Sequence, residues 1–120
     1  MKKINVLFHV DESDKWALTL TNVKNLLDDV GDGELNVEIV ANAAAVTIFS
    51  SAEAAGETQS VLHERMATIS TRGVGIVVCR NALKANHVKE DFLPPFVAVV
   101  PAGITEIVKK QMDGFAYVKP

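Results

Sequence analysis

Short apolar runs alternate along this chain with stretches that carry helix signals, and that alternation constrains the fold more than any other feature. Ile4 to Val10 is almost unbroken apolar sequence, the pattern of a strand covered on both faces. Asp11, Glu12, Ser13 and Asp14 then supply N-cap chemistry and favourable charge for a helix start. Trp16, Leu20, Val23, Leu27 and Val30 follow at spacings of four and three, which makes one apolar stripe along a helix. Gly31 and Gly33 can stop that helix. Leu35 to Ala41 alternates and is rich in Val and Ile, which predicts a second strand.

Residues 42–51 read either as a short helix or as a loop with one turn, with Ser50 and Ser51 as candidate caps. Glu57 to Thr71 predicts a helix with Leu62, Met66 and Ile69 on one side, ended by Arg72 and Gly73. Val74 to Cys79 is a third strand, the most apolar of them, and a short helix over 81–86 follows. Residues 87–95 predict a loop or a turn of helix, because Pro94 and Pro95 do not fit a helix interior. Phe96 to Val100 is a fourth strand. Pro101 suits a position at or near a helix start. Ile104, Ile107, Val108 and Met112 come next at helical spacing, and Gly114 ends that helix before a last strand over Phe115 to Val118.

Strands that alternate with helices imply an α/β layered domain with a mainly parallel sheet. No repeat or linker interrupts the pattern, so a single domain over residues 1–120 is expected. In open α/β sheets, ligands bind beyond the carboxyl ends of the strands. That rule sorts the polar residues. His9 and Asp11 follow the first strand, and Asn42 follows the second. Cys79, Arg80 and Asn81 follow the third, and Pro101 and Gly103 follow the fourth. In a parallel sheet all of them share one rim.

The totals narrow the function classes. A formal net charge of −3 with scattered Lys and Arg argues against a nucleic-acid partner. No stretch approaches the roughly 20 apolar residues that span a bilayer. The basic start, Met1-Lys2-Lys3, runs into His9, Asp11 and Glu12 and lacks the make-up of a signal peptide. One cysteine forms no intrachain disulfide, which fits a reducing compartment. A cytoplasmic protein without membrane contact is therefore expected.

That cysteine stands at a junction, in Gly75-Ile76-Val77-Val78-Cys79-Arg80-Asn81. A thiol just before a helix faces its positive end and its free N–H groups. Such surroundings, with Arg80 adjacent and His9 on the same rim, favour the thiolate and suit a nucleophile. The plain alternative is a small hydrophobe that ends a buried strand, since free Cys is among the most buried residue types. Both readings stay open on the residues alone. His9, His63 and His87 lack metal-ligand spacing, so neither a metal nor an organic cofactor is expected. His63 falls in a helix pattern and reads as a surface residue. No glycine-rich phosphate loop and no serine triad is present.

Four stretches together, residues 7–27, 37–46, 77–83 and 100–120, resemble the DsrE/DsrF-like family, in its small single-domain branch. The most distinctive pieces are Cys-x-Asn-x-Leu at Cys79 to Leu83 and the run from Pro101 to Pro120. The resemblance implies a three-layer α/β/α domain with a five-stranded parallel sheet, and homo-oligomers, commonly trimers or hexamers. In sulfur-relay members of the family, a cysteine after the third strand carries sulfur as a persulfide and passes it to a partner protein. Cys79 matches that position. The chain is thus expected to act in sulfur relay, sulfurtransferase-like, with a protein donor or acceptor. The alternative is an oligomeric module without catalysis that binds a small anion at the same rim. His9, Asn42, Arg80, Asn81 and Gly103 would contact the anion in either case. One departure stands out: Ala43, Ala44 and Ala45 occupy a turn where many relatives have glycine, and Ala enters positive φ less readily.

Overall fold

The computed structural model sets the apolar runs side by side in one five-stranded sheet of order β4-β3-β2-β1-β5. The strands are β1 (Ile4–Val10), β2 (Leu35–Ala41), β3 (Gly75–Cys79), β4 (Val97–Val100) and β5 (Ala116–Val118). Every pairing is parallel, so the sheet is parallel throughout rather than mainly so. The helices are α1 (Trp16–Val30), α2 (Glu57–Thr71), α3 (Arg80–Ala85) and α4 (Gly103–Met112). The structure describes residues 3–50 and 56–120. Met1, Lys2 and Ser51 lie outside the described residues.

Side-chain alternation divides the sheet into two faces. Val6, Phe8 and Val10 of β1 and Val37 and Ile39 of β2 belong to the larger core. There they meet the α1 stripe of Trp16, Leu20, Val23 and Leu27, and Leu62, Met66 and Ile69 of α2. Leu7 and Val40 point the other way and meet Ile107 of α4, with Val77 and Phe115 packed around them. Helices therefore lie on both faces, giving the three-layer α/β/α arrangement. Of the four apolar residues at helical spacing in α4, only Ile107 is buried.

Two local outcomes differ from the sequence reading, and a third decides between its alternatives. The acidic residues before α1 do not cap it. A 3-10 turn, Ser13–Lys15, leads in, closed by the Lys15 N–H on the Glu12 carbonyl (3.2 Å), and Asp11 pairs with Lys119 instead. Tightening to 3-10 satisfies backbone groups that a side chain would otherwise serve. The ambiguous stretch after β2 is a 3-10 helix, Ala43–Phe49. Tertiary bonds hold it. The Trp16 indole N–H donates to the Ala45 carbonyl (2.9 Å), and His63 Nε2 donates to the Ile48 carbonyl (2.7 Å). His63 is accordingly half-buried, stacked on Phe49 at 5.5 Å between ring centres, rather than a surface residue.

The chain leaving β3 enters α3, whose Ala82 and Leu83 join the larger core. The chain leaving β4 enters α4 on the opposite face. Adjacent strands whose connections depart to opposite faces leave a crevice at their carboxyl ends.

Candidate functional site

Cys79 stands at that crevice. It ends β3 in extended backbone (φ −79°, ψ 119°) and is the N-cap of α3. The Ala82 N–H donates to its Sγ at 3.4 Å. A donated N–H stabilises negative charge on the atom that receives it. The residue keeps only 7% of its surface exposed and joins the larger core. It is thus capped like a nucleophile and buried like a hydrophobe.

Gly103 starts α4 directly against this residue. A β-carbon at 103 would lie 3.1 Å from the Cys79 β-carbon, 3.2 Å from the Asn42 β-carbon and 3.6 Å from Val40 Cγ1. Glycine lets α4 begin close to both strands, where a β-carbon would press on both neighbours by a few tenths of an ångström. Cys79 and Asn42 therefore flank one point on the rim.

Asn42 owes its place to an unusual backbone. The next residue, Ala43, lies at φ 49°, the left-handed conformation that alanine was expected to resist. That geometry costs a non-glycine residue about 1–2 kcal/mol. Bonds from two sides hold it in place. Asn86 Nδ2 donates to the Ala43 carbonyl (3.2 Å) and to the Ala82 carbonyl (2.8 Å), tying the end of α3 to this turn. Trp16 holds Ala45.

His9, half-buried at the end of β1, connects Asn42 to the far edge of the sheet. Its Nε2 lies 2.8 Å from Asn42 Oδ1, and its Nδ1 lies 2.6 Å from the Tyr117 hydroxyl. His9, Asn42, Cys79 and Gly103 thus come together. Arg80 turns elsewhere: its Nε donates to Glu90 Oε2 at 2.8 Å, with Nη2 3.4 Å from Oε1. This ion pair holds the Glu90 carboxyl below its ordinary range. Asn81 is exposed on the first turn of α3. Tyr117 and Asn86 escaped the sequence reading. Tyr117 is the chain's only tyrosine, but its meeting with His9 depends on β5 lying beside β1, and strand order is not written in periodicity.

The α4 face carries one more charged cluster. Glu38 of β2 is 13% exposed and lies 3.2 Å from Lys110 Nζ of α4. Its other oxygen, Oε1, is buried without a hydrogen-bond partner. Burial first, and then the neighbouring Glu106 carboxyl, push its pKa up to about 7. Lys110 also stands 5.0 Å from the centre of the Phe115 ring. Among the described residues no cluster of His, Cys, Asp and Glu could hold a metal ion. No helix of the described residues is long and apolar enough to cross a membrane.

Comparison with known proteins agrees with this architecture. The model of the DsrE/DsrF-like family matches residues 1–120. Among solved structures, the chain is similar to MTH1491 from Methanobacterium thermoautotrophicum, a protein of unknown function. That match has 29% identity and a TM-score of 0.83, covering 98% of this chain and 100% of the other. It is also similar in fold to the ychN protein from E. coli, at 15% identity and a TM-score of 0.70, with 100% of both chains covered. No curated protein matches.

Proposed function

Because the chain belongs to the DsrE/DsrF-like family, we propose that it is a sulfur carrier and that Cys79 is the residue that takes up sulfur and hands it on. The observation that carries this reading is the place of the chain's one thiol. It sits on the carboxyl rim of a parallel sheet, with a backbone N–H on its sulfur and the His9–Asn42 pair beside it.

The chemistry is exchange at sulfur. The Cys79 thiolate attacks the outer sulfur of a donor persulfide, R–S–SH. A bond forms between Sγ and that sulfur, the donor S–S bond breaks, and the donor leaves as its thiolate, R–S⁻. Cys79 then carries –S–SH, and an acceptor thiolate removes the outer sulfur by the same step. No net oxidation occurs, and no metal or organic cofactor takes part. A reducing compartment, the cytoplasm, suits a working thiol.

Intact mass spectrometry before and after incubation with glutathione persulfide tests the assignment. The expected result is a gain of one sulfur that dithiothreitol removes, absent in Cys79→Ser. Loading that persists in Cys79→Ser would end the proposal. The low exposure of Cys79 favours a second reading, in which the thiol only lines a site for a small anion. In that case Cys79→Ala still binds the anion, and the wild type takes up no sulfur.

We also propose that the chain forms a homo-oligomer, three or six copies by the family resemblance. Support comes from α4. Ile104, Val108 and Met112 form its outward row, 62%, 49% and 81% exposed. Apolar rows left in water at successive turns mark contact surfaces.

A further inference from the structure

Tyr117 takes no part in the sulfur exchange, yet its hydroxyl makes a short hydrogen bond, 2.6 Å, to His9 Nδ1. The two rings are tilted by 54° with centres 5.7 Å apart, so the contact runs through the hydroxyl rather than through stacking. On the other side of the imidazole, Nε2 meets Asn42 Oδ1 at 2.8 Å. An amide oxygen only accepts, so Nε2 carries the proton there. The neutral ring then has its lone pair on Nδ1, and the Tyr117 O–H donates to it. The direction of the chain is fixed from end to end: Tyr117 O–H to Nδ1, Nε2–H to Asn42 Oδ1.

That direction decides which end of the Asn42 amide faces the rim. With its oxygen held by His9, the amide turns its NH2 group away from the imidazole. The Asn42 and Cys79 β-carbons flank the same point at Gly103. We propose that Tyr117 is a positioning residue that acts through His9 to hold the Asn42 amide with its N–H donors available to an anion at Cys79. The inference rests on the sulfur-carrier reading, in which that anion is first the thiolate and then the outer persulfide sulfur. In the opposite arrangement Nδ1–H donates to the Tyr117 oxygen, the amide is reversed, and a carbonyl oxygen faces the anion. The charge presented to Cys79 thus depends on a tautomer whose far end Tyr117 sets. Protonation of His9 leaves the amide as it is, because both its partners can accept.

Long-range nitrogen–proton spectra of the imidazole rings in isotope-labelled protein read the tautomer directly, with His9→Gln to assign the signal. The expected result is Nε2–H in the wild type and loss of that preference in Tyr117→Phe. Uptake of sulfur from glutathione persulfide should slow roughly three- to tenfold, the range for losing one oriented hydrogen bond. A purely structural tyrosine would lower the melting temperature and leave the tautomer alone. Nδ1–H in the wild type overturns the inference, and so does a Tyr117→Phe variant with unchanged tautomer and uptake. Should the wild type take up no sulfur, the sulfur-carrier reading fails separately. Alkylation of Cys79 then decides the inference. Tyr117→Phe must slow anionic iodoacetate more than neutral iodoacetamide, and equal effects overturn it.

Discussion

One face of the sheet lies under α1, α2, α3 and the 3-10 helix Ala43–Phe49, and among the described residues the other lies under α4. On the first face the contacts are apolar and deep. Trp16 meets Phe49 edge to face at 6.1 Å, Met66 is fully buried, and Thr19, the one buried polar residue among the described residues, donates to the Lys15 carbonyl. On the second face a small apolar patch, Leu7, Val40 and Ile107, shares the contact with Glu38, Glu106 and Lys110. The difference separates two tasks. Burial of large apolar side chains supplies stability in proportion to area. A contact that rests partly on carboxyl groups responds to pH, and its helix begins at Gly103, against Cys79 and Asn42. The first face holds the fold, and the second holds the rim.

Truncation on each face tests that division with the largest expected effect. Trp16→Ala removes the largest fully buried side chain and leaves the Ala45 carbonyl without its donor. It should cost about 3–5 kcal/mol in denaturant unfolding. Ile107→Ala should cost less, about 2–3 kcal/mol, because its patch is small. Equal losses would break the comparison.

The pH dependence sharpens it. An isolated Glu titrates at 4.5, and Glu38 in the folded chain titrates at about 7. Between those values the native chain holds a proton that the unfolded chain has released. Stability therefore falls as pH rises through this window, and the contribution is complete only below it. That value already includes the opposing pull of Lys110, and the shift corresponds to a loss of about 3 kcal/mol between acid and neutral pH. Urea titrations at several pH values should show that slope in the wild type and a flatter one in Glu38→Gln. A slope unchanged by Glu38→Gln would assign the pH dependence to other groups.

How much of this was legible in the sequence also divides by face. β1, β2, α1's stripe and α2 read directly, because period and burial agree along each of them. The rim rule gathered His9, Asn42, Cys79 and Gly103 without knowledge of strand order. What escaped needed tertiary information. Ala43 takes a left-handed turn because Asn86 and Trp16 bind the carbonyls on either side of Ala44, and those partners are remote in sequence. Arg80 stands beside Cys79 in the chain, but the loop after α3 brings Glu90 to its guanidinium. Helical spacing in α4 identified the helix and not its buried side, since Ile107 alone faces inward.

The outward side of α4 gives the smallest stability effect and the sharpest test of why that face is left thin. Val108 is 49% exposed, so Val108→Lys removes little buried area and should change unfolding free energy by no more than about 0.5 kcal/mol. Its effect on assembly should be far larger. A lysine in the middle of the Ile104–Val108–Met112 row places a charge where the proposed subunit contact buries an apolar side chain, and charges are depleted at interface cores. Sedimentation velocity of wild type and variant separates the cases. An assembled wild type and a monomeric, fully folded Val108→Lys would mean that a neighbouring subunit completes the layer α4 begins. An assembled variant would move the contact off this row, and a monomeric wild type would leave α4 as the whole of the second layer.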